Sequence, residues 1–260
     1  MIPIESKLTR NYLMIGLILI SVGSLSTVIW RRFETEAVSS NRGNERYKGS
    51  AENLPAGLER SDWNSILDAH QAWKYEVRAT KDGWRAHNEE TGLTATFDRR
   101  GMEVRPQSAD WSWGLELASY GAGAEQVAID GRVPEVRAAG PRVSYQWDDN
   151  IEEWYQNDRS GLEHGYTIQQ RPATTAPAEP LSLHLRLNGG LRVTGPVAGR
   201  NLAFGKTGSD TLLRYSGLKV LDANGQELNA EFESDGDRGI SIRVEDNGAA
   251  YPLTIDPTLS

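Results

Sequence analysis

The chain has 260 residues, 38% hydrophobic and 25% charged, which is enough apolar content for a packed core and too much for wholesale disorder. It contains no cysteine, which excludes disulfide scaffolds, thiol catalysis and Cys-ligated zinc or iron–sulfur centres. Its 36 acidic and 28 basic residues give a net charge of −8, which argues against nucleic acid as a partner.

The N-terminus bears on location. Residues 12–30 carry no charge, and their core reads Leu13-Met14-Ile15-Gly16-Leu17-Ile18-Leu19-Ile20. As a helix this stretch would rise about 28 Å, close to the hydrocarbon thickness of a bilayer. Lys7 and Arg10 precede it, and Trp30, Arg31 and Arg32 close it in the manner of an interfacial anchor. The expectation for residues 1–32 is a membrane anchor, with a cleaved signal peptide as the alternative, since Ser24-Leu25-Ser26 offers small residues at cleavage spacing. The body would then lie outside the cytoplasm, periplasmic or at the cell surface, or be secreted if the segment is cleaved. Residues 33–60 are polar, without periodicity, and read as a flexible tether.

Residues 61–74 predict one soluble amphipathic helix. Ser61 or Asp62 can cap it, and Trp63, Ile66, Leu67, His70 and Trp73 recur at three- and four-residue spacing on one face. From Tyr75 onward the period changes to two. Leu93, Ala95 and Phe97 alternate with small or polar residues; so do Trp111, Trp113, Leu115 and Leu117, and then Val143, Tyr145 and Trp147. Leu181 to Leu187 is the cleanest alternation, and Ile240-Ile242-Val244 and Tyr251-Leu253-Ile255 follow. Asx-Gly pairs at Asp82, Asp130, Asn188, Asn224 and Asn247 supply turn chemistry. Leu218 to Leu221, the turn at Asn224-Gly225, and Glu227 to Phe232 predict a complete hairpin. The pattern predicts a mainly β domain over residues 61–260, an antiparallel sandwich. Three prolines between Arg171 and Pro180 mark a loop, so two linked sandwiches with halves 61–172 and 180–260 are the alternative.

Three motifs carry a resemblance. Trp154-Tyr155-Gln156-Asn157-Asp158 followed by Gly161-Leu162-Glu163-His164-Gly165-Tyr166 is the first. Leu213-Arg214-Tyr215-Ser216-Gly217-Leu218 with Asp222 and Gly225 is the second, and Tyr251-Pro252-Leu253-Thr254-Ile255-Asp256-Pro257 is the third. Together they resemble the N-terminal β module of bacterial surface and secreted proteins that continue into FG-GAP (integrin-α-like) or related β-propeller repeats. The resemblance covers residues 63–257. It implies a location and a domain context rather than catalysis. The partners expected for the chain are the membrane, through residues 12–30, and a propeller domain, a surface protein or a glycan.

The best candidate for chemistry is an acidic–aromatic cluster of Asp148, Asp149, Glu152, Glu153, Trp154, Tyr155, Asp158, Glu163 and His164. Paired carboxylates beside aromatic rings are what glycoside hydrolysis needs, and Trp154, Tyr155, Asp158, Glu163 and His164 are the candidate ligand-binding residues. The competing reading is a hairpin whose Trp154, Asn157, Asp158 and Glu163 hold the fold. Asp222-x-Asn224-Gly225-x-Glu227 resembles half of a calcium loop but reads better as a hairpin turn. Gly199 to Thr207 imitates a phosphate loop with Arg200 where glycine is required, and its Leu202 and Phe204 predict a strand. No catalytic residue, metal ligand or cofactor is expected, because the four His stand at no metal-ligand spacing and no serine-nucleophile elbow occurs.

Overall fold

The computed structural model describes residue 55 and residues 57–259, apart from 176, 177, 196, 198, 209 and 237. The apolar stretch 12–30 and most of the tether lie outside the described residues. No helix within them is long and apolar enough to cross a membrane.

Helix α1 (Arg60–Lys74) opens the described part. It starts one residue before the expected cap. Glu59 is the N-cap, in extended conformation and without a side-chain capping bond, and Ser65 Oγ donates back to the Ser61 carbonyl at 2.9 Å. Asp62 in the first turn and Lys74 in the last complement the helix dipole. None of its residues is buried. Ile66 is 47% exposed and Trp73 57%, so the apolar stripe read from the sequence finds no core to pack on among the described residues.

The rest is β structure in two antiparallel sheets of nine strands each, stacked as a sandwich. The chain lays down β1 (Arg78–Thr80), β2 (Gly83–Asn88), β3 (Leu93–Phe97), β4 (Met102–Pro106), β5 (Trp113–Ala122) and β6 (Glu125–Ala128) in the first sheet. It crosses to the second sheet for β7 (Glu135–Ala139), β8 (Arg142–Gln146), β9 (Ile151–Asp158) and β10 (Gly161–Ile168). Strand β11 (Leu181–Gly189) returns to the first sheet. Strands β12 (Arg192–Val193), β13 (Leu202–Gly205), β14 (Leu213–Leu221) and β15 (Glu227–Leu228) then extend the second. Strands β16 (Ala230–Ser234) and β17 (Gly239–Val244) complete the first sheet, and β18 (Leu253–Leu259) the second.

This path departs from two linked sandwiches. β11 lies between β5 and β17, and β18 lies between β10 and β14, so each sheet draws strands from both sides of the Pro-containing loop. The expected long hairpin is also cut short. β15 pairs with β14 only at Leu228 and Glu227, after which the chain leaves for the other sheet as β16. Leu228 on β15 and Ala230 on β16 are both buried in the one core between the sheets.

The inward positions are those the alternation marks. Leu181, Leu183, Leu185 and Leu187 on β11 are buried, as are Leu93, Ala95 and Phe97 on β3. Aromatic contacts tie one sheet to the other: Phe97 with Tyr155 at 5.1 Å, Trp113 with Phe204 at 5.0 Å, and Phe232 with Tyr215 at 5.2 Å between ring centroids. Each such side chain removed from water contributes about 1.5–3 kcal/mol, and the aromatic geometry adds about 0.5–1.5 kcal/mol per pair. The outward positions of β11 carry polar ladders, with His184 on Asp235 and Arg186 between Glu116 and Asp130.

Candidate functional site

The three sequence motifs converge. β9 and β10, which form the first, lie beside β18, which carries the third, and β18 lies beside β14, which carries the second. Strand alternation decides which of their side chains enter the core. On β9, Ile151, Glu153, Tyr155 and Asn157 point between the sheets, and on β10 so do His164, Tyr166 and Ile168.

Glu153 is the centre of this region. Its carboxylate accepts from Trp147 Nε1 at 2.8 Å, from the Tyr155 hydroxyl at 2.7 Å and from the Tyr166 hydroxyl at 3.3 Å, and it lies 2.9 Å from His164 Nε2. Across the ring, His164 Nδ1 lies 2.8 Å from the Tyr215 hydroxyl. The assignment that satisfies every group has Nε2–H donating to Glu153 and Nδ1 accepting from Tyr215. Tyr155 stacks on the imidazole at 4.4 Å with the planes 7° apart. Burial pushes the phenols of Tyr155, Tyr166 and Tyr215 well above the usual phenol range, so they remain donors at physiological pH.

A carboxylate, an imidazole and a hydroxyl in line have the form of an acid–base relay. Accessibility decides against that use: Glu153, His164, Tyr166 and Tyr215 are 0% exposed, so no solvent-borne substrate reaches them in this structure. All four donors around Glu153 are supplied by the protein, and they use the lone pairs that a substrate would need.

A second polar knot joins the sheets at the β9–β10 turn. Asn88 Nδ2 on β2 donates to Asn157 Oδ1 at 2.8 Å and to the carbonyl of Asp158 at 2.7 Å. Asn157 Nδ2 donates in turn to the carbonyls of Tyr75 and His87, each at 3.1 Å. Both amides are buried, and backbone carbonyls left there without a donor would be costly.

The candidate ligand residues therefore separate. Tyr155 and His164 are interior. Asp158 sits in the turn, where its carboxylate accepts the Ser160 N–H at 2.7 Å. Trp154 and Glu163 belong to the outer face of the second sheet. The Trp154 ring lies over Gly165, its cross-strand partner, and the Arg142 guanidinium stands 4.5 Å from the ring centroid. The segment from Asp222 to Glu227, weighed as turn or calcium loop, is a turn. Asp222 accepts the N–H groups of Asn224, Gln226 and Ala250 at 2.8, 2.9 and 3.2 Å, and Ala250 borders the third motif. Among the described residues no three acidic or histidine side chains converge in a way that would hold a metal ion.

Sequence reasoning missed Asn88, Trp147, Tyr166 and Tyr215 as members of this network. It placed Glu153 in the acidic–aromatic cluster without separating it from Asp148, Asp149 and Glu152. The signal available was parity: Glu153 shares the inward register of Ile151 and Tyr155. Scanned against known protein families and against curated proteins, the chain matches no family model and no curated sequence.

Proposed function

We propose that the chain is a non-enzymatic, membrane-tethered extracytoplasmic β module with a structural or interaction role, of the kind that precedes β-propeller repeats. The observation that carries the non-enzymatic part is the closure of Glu153. The carboxylate–histidine–tyrosine line of Glu153, His164 and Tyr215 is sealed between the sheets and fully bonded by the protein itself. The three motifs act here as neighbouring strands of one sheet, which suits a scaffold. The tether rests on the uncharged stretch 12–30 and the polar segment that follows it. A carbohydrate-processing role for the acidic–aromatic cluster draws no support from this geometry, because its carboxylates point to different faces and two of its rings are interior.

Reporter fusions after Ser260 test the topology. An exported reporter should be active and a cytoplasmic one silent; the opposite pattern ends the tether reading. Turnover on a polysaccharide panel tests the rest. Hydrolysis that disappears in Glu153→Gln, with the melting temperature unchanged, would make the interior network catalytic.

A further inference from the structure

A cleft of about 310 Å³ opens on the outer face of the first sheet, where the last turn of α1 meets β1 and β2. That volume is at the lower end of small-ligand pockets. Its wall carries an opposed pair of arginines. Arg78 and Arg85 face each other in the β1–β2 register, and both point outward. Directly opposed residues of an antiparallel pair have Cβ atoms about 5 Å apart, and like charges at that spacing destabilise the sheet. Glu76 and Glu89 line the cleft as well, against Lys74, Arg78 and Arg85, which leaves one positive charge in excess. Glu76 lies 3.9 Å from Arg78, with both side chains about half exposed, so the pair is weak. Glu89 and Glu90 are engaged by Lys74, at 3.2 and 2.7 Å. Arg85 has no ion pair among the described residues.

Beside the arginines stands Trp73, whose indole is 57% exposed, the largest exposed aromatic surface among the described residues. The Arg78 guanidinium lies 4.7 Å from its ring centroid, which orients both groups. His87, two residues after Arg85 on the same face, also lines the cleft. Its Nδ1 is 3.2 Å from Thr94 Oγ1 and its Nε2 is 3.1 Å from Gln107 Nε2, so its ring is held in place.

We propose that this cleft binds an acidic saccharide. Its carboxylate or sulfate would bridge Arg78 and Arg85, and its sugar ring would lie on the indole of Trp73. Guanidinium forks match the planar oxygens of a carboxylate and the oxygen faces of a sulfate, and they carry less hydration than an ammonium. A pyranose presents C–H bonds to the electron-rich face of an indole. The anion also neutralises the arginine pair, so binding removes a repulsion that the free protein carries. Nucleic acid offers phosphates as well, but two arginines on a chain of net charge −8 cannot offset its long-range repulsion. The inference goes beyond the tethered-module reading and does not depend on it, because topology plays no part in the binding.

The test is titration calorimetry of the full chain in detergent with trigalacturonate, with a sulfated disaccharide, and with maltotriose as the neutral control. Both or either of the acidic sugars should bind and maltotriose should not; which of the two binds tells carboxylate from sulfate. Arg85→Ala and Trp73→Ala should each weaken binding roughly tenfold or more, with Arg85→Lys intermediate. Neither alanine variant should melt lower than the parent by more than about a degree or two, since both side chains are exposed, and Arg85→Ala, which removes the like-charge pair, should melt slightly higher. Absence of heat with both acidic sugars overturns the proposal. So does binding that Arg85→Ala leaves intact, and so does inorganic sulfate or oligoglutamate binding as tightly as the sugars with Trp73→Ala silent.

Discussion

Tyr215 and His164 are separated by 51 residues in the chain and meet at 2.8 Å between the sheets, on strands that flank β18. Through that contact the second motif closes the network that the first motif builds around Glu153. Breaking it leaves buried donors and acceptors without partners, and their full desolvation penalty is then felt. Tyr215→Phe, which keeps the ring and removes only the hydroxyl, should cost about 1–3 kcal/mol. Glu153→Ala should cost about 3–5 kcal/mol, because the donors of Trp147, Tyr155, Tyr166 and His164 all lose their acceptor. Denaturant unfolding measures both. A Glu153→Ala protein as stable as the parent would mean that the network does not hold the core.

Asn88 and Asn157 couple the two sheets at the opposite end of β9. Each alanine variant should lose about 1–3 kcal/mol. The two should not add: the double variant should be more stable than the sum of the singles predicts, by about 0.5–3 kcal/mol, since both remove the same 2.8 Å bond. Strict additivity in a double-mutant cycle would show that the amides act separately.

Much of the sandwich is legible in the residues. Leu181 to Leu187 alternates without a break because β11 has one face on the core and one in water. The pairing of β18 between β10 and β14 is not legible, because nothing local at Leu253 or Ile255 encodes contact with residues so far away. Glu153 misleads for a different reason. Acidic side chains are rarely buried fully, so an acid among acids reads as surface, although its strand parity already pointed inward. Helix α1 is the reverse case. Its apolar spacing is real, but the two sheets close the core without it, and among the described residues Ile66 and Trp73 stay exposed while Trp63 and Leu67 are only half-buried.

Acid should unfold the domain partly through Asp246. Burial alone would push its carboxyl up. Bonds from Arg171 at 2.7 Å, from the Tyr251 hydroxyl at 2.6 Å and from the Leu181 N–H outweigh that and hold it below the ordinary aspartate value. A carboxyl lowered by folding stabilises fully above its unfolded pKa of about 3.9, and that contribution is lost as pH falls through the folded value. Stability measured from pH 7 downward should therefore decline below about pH 4 more steeply in the parent than in Asp246→Asn. Parallel acid limbs would remove Asp246 from the account.

Gly165 is the place where one added carbon tests the outer face of the second sheet. A Cβ there would lie 2.2 and 2.5 Å from two atoms of the Trp154 indole and 2.7 Å from the carbonyl oxygen of Ile255 on β18. Real contacts do not approach so closely, so Gly165→Ala must displace the ring from beneath Arg142 and shift the backbone of β18. The expected cost is about 1–3 kcal/mol. The two clashes can be separated. Trp154→Ala clears the indole and leaves the Ile255 carbonyl, so adding Gly165→Ala in that background should still destabilise, but by less than in the parent. Urea unfolding of the four proteins gives the coupling directly. Equal costs in both backgrounds would show that the ring does not rest on Gly165.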